Sequence, residues 1–129
     1  MTKISQIMTK DVITVDKEDT LLDLREILDT RHFHHLVVID GVDVCGIISV
    51  NDLSRAVQPV VAVEDGMPLT DLTASDIMTS DPITIEPEHT VKDAADVILT
   101  NRLHALPVVK DGQLKGIVTS HDLLNFSFT

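Results

Sequence analysis

The 129-residue sequence predicts an α+β fold made of two copies of one unit, β-α-β-β-α, packed together with pseudo-two-fold symmetry. Three observations predict it. The chain matches itself at an offset of 70, residues 7–53 aligning with 77–123 without a gap and with 17 identities in 47 positions. Within each copy the hydrophobic period changes in one fixed order, from strand to helix to paired strands to helix. A unit of about 50 residues is marginal alone and leaves a sheet face bare, so packing two copies together stabilises both.

Each element has its own reason. Val12-Ile13-Thr14-Val15 and Pro82-Ile83-Thr84-Ile85 are short, β-branched runs bounded by charge, and read as the first strand of each copy. Thr20 with Asp23, and Thr90 with Asp93, place a hydroxyl at a helix start and a carboxylate three residues on, a variant of the capping box. The apolar stripes that follow, Leu21, Leu24, Ile27 and Leu28 in one copy and Val91, Ala94, Ala95 and Ile98 in the other, are core. Leu36 to Ile39 and Cys45 to Ile48, with a turn at Asp40-Gly41, form a hairpin that Leu106 to Val109, Asp111-Gly112 and Gly116 to Val118 repeat. A second helix opens at Ser49 to Asp52 and at Thr119 to Asp122. The organisation expected is one repeat over 1–57, a linker over 58–73 carrying Pro59, Gly66 and Pro68 with Val60 to Val63 packed, and a second repeat over 74–129.

Composition narrows the function. Ten basic against twenty-one acidic residues give a formal charge of −11, which makes phosphate backbones poor partners and argues against DNA and RNA. One cysteine, Cys45, allows no intramolecular disulfide, and no apolar run is long enough to span a bilayer, so a soluble cytoplasmic protein is expected. The MTKISQIMTK start lacks the layout of a secretory signal. His32, His34 and His35 cluster, but alternation on an extended segment sends only His32 and His34 to one face, a weak case for zinc, and no metal site is expected. No nucleophile stands with a matching base, so the chain is not expected to be an enzyme.

The Ile-Met-Thr openings, the Ile-Thr strands, the apolar strands preceded by His, and GIISVNDL with GIVTSHDL resemble in order and spacing a tandem pair of cystathionine β-synthase (CBS) domains, a Bateman module. The resemblance covers essentially the whole chain. It implies two clefts between the repeats, a homodimeric disc, and the sensing of an adenosine-containing ligand of the AMP, ADP and ATP class, as in energy sensing. Magnesium accompanies the nucleotide in one version of this reading, and no other cofactor is required.

The family's Gly-h-h-Ser/Thr-x-x-Asp motif maps onto Gly46, Ser49 and Asp52 and onto Gly116, Thr119 and Asp122, and makes Asp52 and Asp122 the ribose acceptors. A carboxylate can accept from both vicinal hydroxyls, and free N–H groups at a helix start favour an anion. The resemblance groups Ile7, Val12, Ile13, Thr14, His34 and His35 with Ile117, Thr119 and Asp122. It groups Ile77, Pro82, Ile83, Thr84 and His104 with Ile47, Ser49 and Asp52. His34 and His104 take the phosphate position. Their neighbours His35 and Ala105 depart from the family's His-Arg pair, which removes a guanidinium, and Arg31, Arg102 and Lys10 are the nearby substitutes, with surface solvation as the competing reading.

Two further readings stand beside this one. In the first the chain is a ligand-free dimerisation or protein-interaction module, because Ser/Thr-x-x-Asp at a helix start is also what capping alone requires. In the second the ligand is S-adenosylmethionine or another adenosyl compound. The repeats occupy the chain, so any regulated client is expected to be a separate protein.

Overall fold

Hydroxyl caps start the helices where the spacing places them. Thr20 precedes α1 (Leu21–Thr30) and Ser49 precedes α2 (Val50–Ala56). A short α3 (Ala74–Ile77), not expected from the spacing, follows Thr73. Thr90 precedes α4 (Val91–Asn101) and Thr119 precedes α5 (Ser120–Ser127). The computed structural model describes residues 1–57 and 72–127. Two contact units divide the chain: a middle unit, Ile13–Asp81, and a terminal unit, Met1–Val12 with Pro82–Thr129.

In the middle unit four strands lie in sequence order, β1 (Thr14–Asp16), β2 (His35–Asp40), β3 (Asp43–Ser49) and β4 (Thr79–Ser80). The β1–β2 pair is parallel and the other two are antiparallel. Val15, Leu21, Leu24, Leu36, Val38, Ile48, Leu53 and Ala74 form its core. Alternation along the strands sends Leu36, Val38 and Ile48 to the face that the α1 stripe covers, and this periodicity makes the layer.

The terminal unit repeats the plan with a hairpin of β5 (Ala105–Lys110) and β6 (Gln113–Thr119). Its flanking strands shrink to single bridges, Ile85 with Val108 and Thr9 with Ile117. Ile4, Ile85, Ala94, Ile98, Leu106, Val108 and Val118 form the core. Ile4, in a 3₁₀ turn (Ile4–Gln6), is fully buried, which anchors the N-terminal arm by about 2 kcal/mol. Ile4 and Ala74 are equivalent by the offset of 70, and the segment opening each sequence repeat lies in the unit built mainly by the other repeat. Residues 58–71 of the expected linker, with Val60 to Val63, lie outside the described residues.

Three local expectations are corrected. The first strand begins at Thr14, leaving Val12 and Ile13 ahead of it. Its second copy, expected over Pro82 to Ile85, is reduced to the Ile85 bridge, and two prolines account for this. In the middle unit β1 is secured at its ends by Val37 N–H to the Ile13 carbonyl (3.1 Å) and Lys17 N–H to the Ile39 carbonyl (3.0 Å). The equivalent donors are Pro107 and Pro87, which have no N–H, so only the inner bonds of Ile85 to Pro107 and Val109 survive. The hairpin turn expected at Asp40-Gly41 is shifted by one residue. Asp40 pairs with Asp43, so the loop is Gly41-Val42 with only Gly41 at positive φ (66°). The other copy uses Asp111 and Gly112, both left-handed at 52° and 77°, as a type I′ turn requires.

Candidate functional site

A side chain at the glycine of either motif would press on the Ile-Met-Thr segment that crosses it. In the middle unit a Cβ on Gly46 would lie 2.8 Å from Met78 Cγ and 3.0 Å from its Cβ. In the terminal unit a Cβ on Gly116 would lie 2.7 Å from the Thr9 carbonyl oxygen. The Ile-Met-Thr segment therefore crosses hard against β3 or β6 just before the Ser/Thr-x-x-Asp turn. Thr9 and Ile117 exchange both backbone hydrogen bonds, and Thr79 pairs with Ile47 in the same place.

That crossing delivers Thr9 to Asp122. The Thr9 hydroxyl donates to Asp122 Oδ1 and Oδ2 at 3.3 and 3.5 Å, while Thr119 N–H donates to Oδ2 at 2.9 Å and Asp122 N–H donates to Thr119 Oγ1 at 3.1 Å. Asp122 is half-buried. Thr9, Ile117, Thr119 and Asp122 form one constellation, with Ile7 packed against the core below.

The middle unit builds the same turn with a different partner. Asp52 N–H donates to Ser49 Oγ at 3.1 Å, but the Asp52 carboxylate pairs with the Arg55 guanidinium in place of the reciprocal cap. Ile77 packs on the core, and Ile47 sits half-buried on β3. Neither Thr9 nor Arg55 was among the residues expected at a site. Thr9 had a signal, since it lies in an identity block, whereas Arg55 stands opposite Asn125 and breaks the repeat.

His34 and His104 occupy equivalent exposed positions, and their carbonyls accept from the first N–H groups of α2 and α5, Val50 (2.8 Å) and Ser120 (2.9 Å). His35 begins β2 opposite Ser49. Val12 and Pro82 are half-buried, Ile13 packs on the middle core, and Thr14, Ile83 and Thr84 are exposed. Arg31 and His32 border a depression at the end of α1 with Leu28, Phe33 and Val50, apart from the motif aspartates. Arg102 is the left-handed C-cap of α4.

Thr20/Asp23 and Thr90/Asp93 are full capping boxes, as their spacing predicts. The N–H and hydroxyl of Thr90 hold the Asp93 carboxyl below the usual aspartate range. Burial pushes the Cys45 thiol up, with Asp40 adding to it, so the thiolate a nucleophile needs is disfavoured. Among the described residues no three His, Cys, Asp or Glu side chains are grouped as a metal site requires, and no helix is long and apolar enough to cross a membrane.

The family model of the CBS domain matches twice, over residues 4–59 and 74–128. The chain belongs to the CBS domain family. A CBS domain-containing protein of Dictyostelium discoideum is 33% identical over 128 residues, covering 95% of this chain and 88% of that one. The inosine-5′-monophosphate dehydrogenase of Korarchaeum cryptofilum is 36% identical over 115 residues, 88% of this chain but 22% of that enzyme. The chain spans between about a fifth and a third of the longer curated relatives it matches. Among solved structures, the CBS domain of a membrane protein from Sphaerobacter thermophilus is 32% identical with a TM-score of 0.80, over 97% of this chain and 87% of that one. A CBS domain pair in complex with 5′-methylthioadenosine and S-adenosyl-L-methionine is 25% identical, also with a TM-score of 0.80, over 99% and 97% of the two chains. The CBS-pair fold expected from the sequence is the fold of these structures.

Proposed function

We propose that this CBS pair is a regulatory module, not an enzyme, that binds an adenosine-containing nucleotide of the AMP, ADP and ATP class through the motif aspartates and relays occupancy to a separate partner protein. The observation that carries this reading is the state of Asp122. Its carboxylate is oriented by Thr119 N–H, and the Thr9 contacts at 3.3 and 3.5 Å are long for O–H···O bonds. A ligand hydroxyl at about 2.7 Å would displace Thr9 at little cost. Two vicinal ribose hydroxyls match the acceptors a carboxylate presents. The adenosyl ligands of the 25%-identical CBS pair support the same chemistry, and they keep S-adenosylmethionine in play as an alternative ligand. Homodimerisation, a cytoplasmic location and energy sensing belong to this reading, as does magnesium when ATP is the ligand.

A second reading, a ligand-free interaction module, is favoured by one observation: Asp52 and Asp122 already have partners in Arg55, Thr119 and Thr9. Calorimetric titration of AMP, ADP, ATP with and without magnesium, and S-adenosylmethionine into the protein and into Asp52→Ala and Asp122→Ala separates the two. Binding that is lost in an aspartate variant supports the sensor. Silence across the panel with folded protein favours the interaction module.

A further inference from the structure

The two copies agree at Gly, Asp and the residue after Asp, and differ three residues beyond it, where Arg55 stands opposite Asn125. This difference reaches the carboxylates. Arg55 pairs with Asp52 from one helical turn away, the two side chains 73% and 38% exposed, while among the described residues the donors to the Asp122 carboxylate are neutral, Thr119 N–H and the Thr9 hydroxyl. Asn125 cannot form an ion pair with Asp122.

We infer that Arg55 is a specificity-determining residue that makes the two motifs unequal: it holds Asp52 when no ligand is bound and turns to a ligand's phosphate when ribose takes the carboxylate. This rests on the nucleotide reading above. Two physical consequences follow from the geometry. An unphosphorylated nucleoside must break the Asp52–Arg55 pair with nothing to offer the freed guanidinium. A phosphorylated one gives the planar guanidinium two phosphate oxygens to bond at once, and the exposed Arg side chain is long enough to exchange one partner for the other. The exposed pair itself is weak, so breaking it costs an unphosphorylated ligand no more than about fivefold in affinity. A phosphate–guanidinium bond is worth about tenfold or more. The Asp52 site therefore selects for phosphate, and the Asp122 site selects for it much less.

The test isolates the Asp52 site in full-length Asp122→Ala protein and measures adenosine and AMP by calorimetry, with and without Arg55→Ala. Arg55→Ala is expected to lower the AMP-to-adenosine affinity ratio about tenfold while leaving adenosine binding equal or up to about fivefold tighter, and Arg55→Lys recovers part of the ratio. In Asp52→Ala protein, Asn125→Arg is expected to raise the ratio at Asp122. An unchanged ratio in Arg55→Ala, with unaltered circular dichroism, overturns the inference while leaving nucleotide binding intact. If the unmutated chain binds neither adenosine nor AMP, the nucleotide reading itself fails and the inference with it.

Discussion

Thr9 and Ile117, 108 residues apart by their numbers, exchange both backbone hydrogen bonds, Thr9 N–H to the Ile117 carbonyl at 2.8 Å and Ile117 N–H to the Thr9 carbonyl at 2.9 Å. The pair sets the N-terminal arm against the glycine of the second motif and brings the Thr9 hydroxyl to Asp122. It links a sequence block with no chemistry of its own, Ile-Met-Thr, to the residue proposed to bind ribose.

Gly116→Ala and Gly46→Ala test how tight that crossing is. The added methyl at 116 meets backbone, the Thr9 carbonyl at 2.7 Å, which moves only by breaking the bridge; at 46 it meets the flexible Met78 side chain. Gly116→Ala is expected to cost about 2–3 kcal/mol and Gly46→Ala about 1 kcal/mol, read from urea midpoints at constant slope. Equal costs would show that the arm is held loosely.

Pro107→Val restores the donor missing from the terminal unit. The new N–H at 107 is expected to bond the Ile83 carbonyl, as Val37 N–H bonds Ile13, and to exchange slowly with solvent. Stability should change by about 1 kcal/mol or less, since a net hydrogen bond is offset by the lost rigidity of proline. Fast exchange at 107 would mean that proline is not what shortens the strand.

The Asp93 capping box sets a pH dependence. Its folded carboxyl is held below the unfolded one, so its contribution is full at neutral pH and is lost as pH falls through the depressed folded value. Asp93→Asn is expected to be less stable than the parent at pH 7, with the gap closing in acid. Lys110 has the opposite sense: Glu86 and Glu88 raise its value, so its contribution persists at neutral pH and fades only in strong alkali. Urea midpoints across the acid limb for parent and Asp93→Asn decide it, and parallel curves would contradict it.

What could be read from the residues followed from local chemistry and from repetition. Hydroxyl and carboxylate three apart located the helix starts, and the offset of 70 located the duplicated sheet layers. Most of what could not be read depended on partners distant in sequence. Ile4 and Ala74 are apolar whichever unit buries them, so periodicity does not say that each opening segment joins the other repeat's core. Pro107 looks harmless on β5 until the segment that would pair with it is known. Arg55 reads as an ordinary solvated residue, and only the folded turn of α2 shows that it pairs with the motif aspartate.

The most direct measurement of the central claim is a titration of AMP into ¹⁵N-labelled protein followed by amide spectra. Saturable shifts centred on Thr119, Asp122 and Thr9, absent in Asp122→Ala, are the predicted result. No shift at ligand excess, or shifts confined to residues remote from both motif aspartates, would contradict the account.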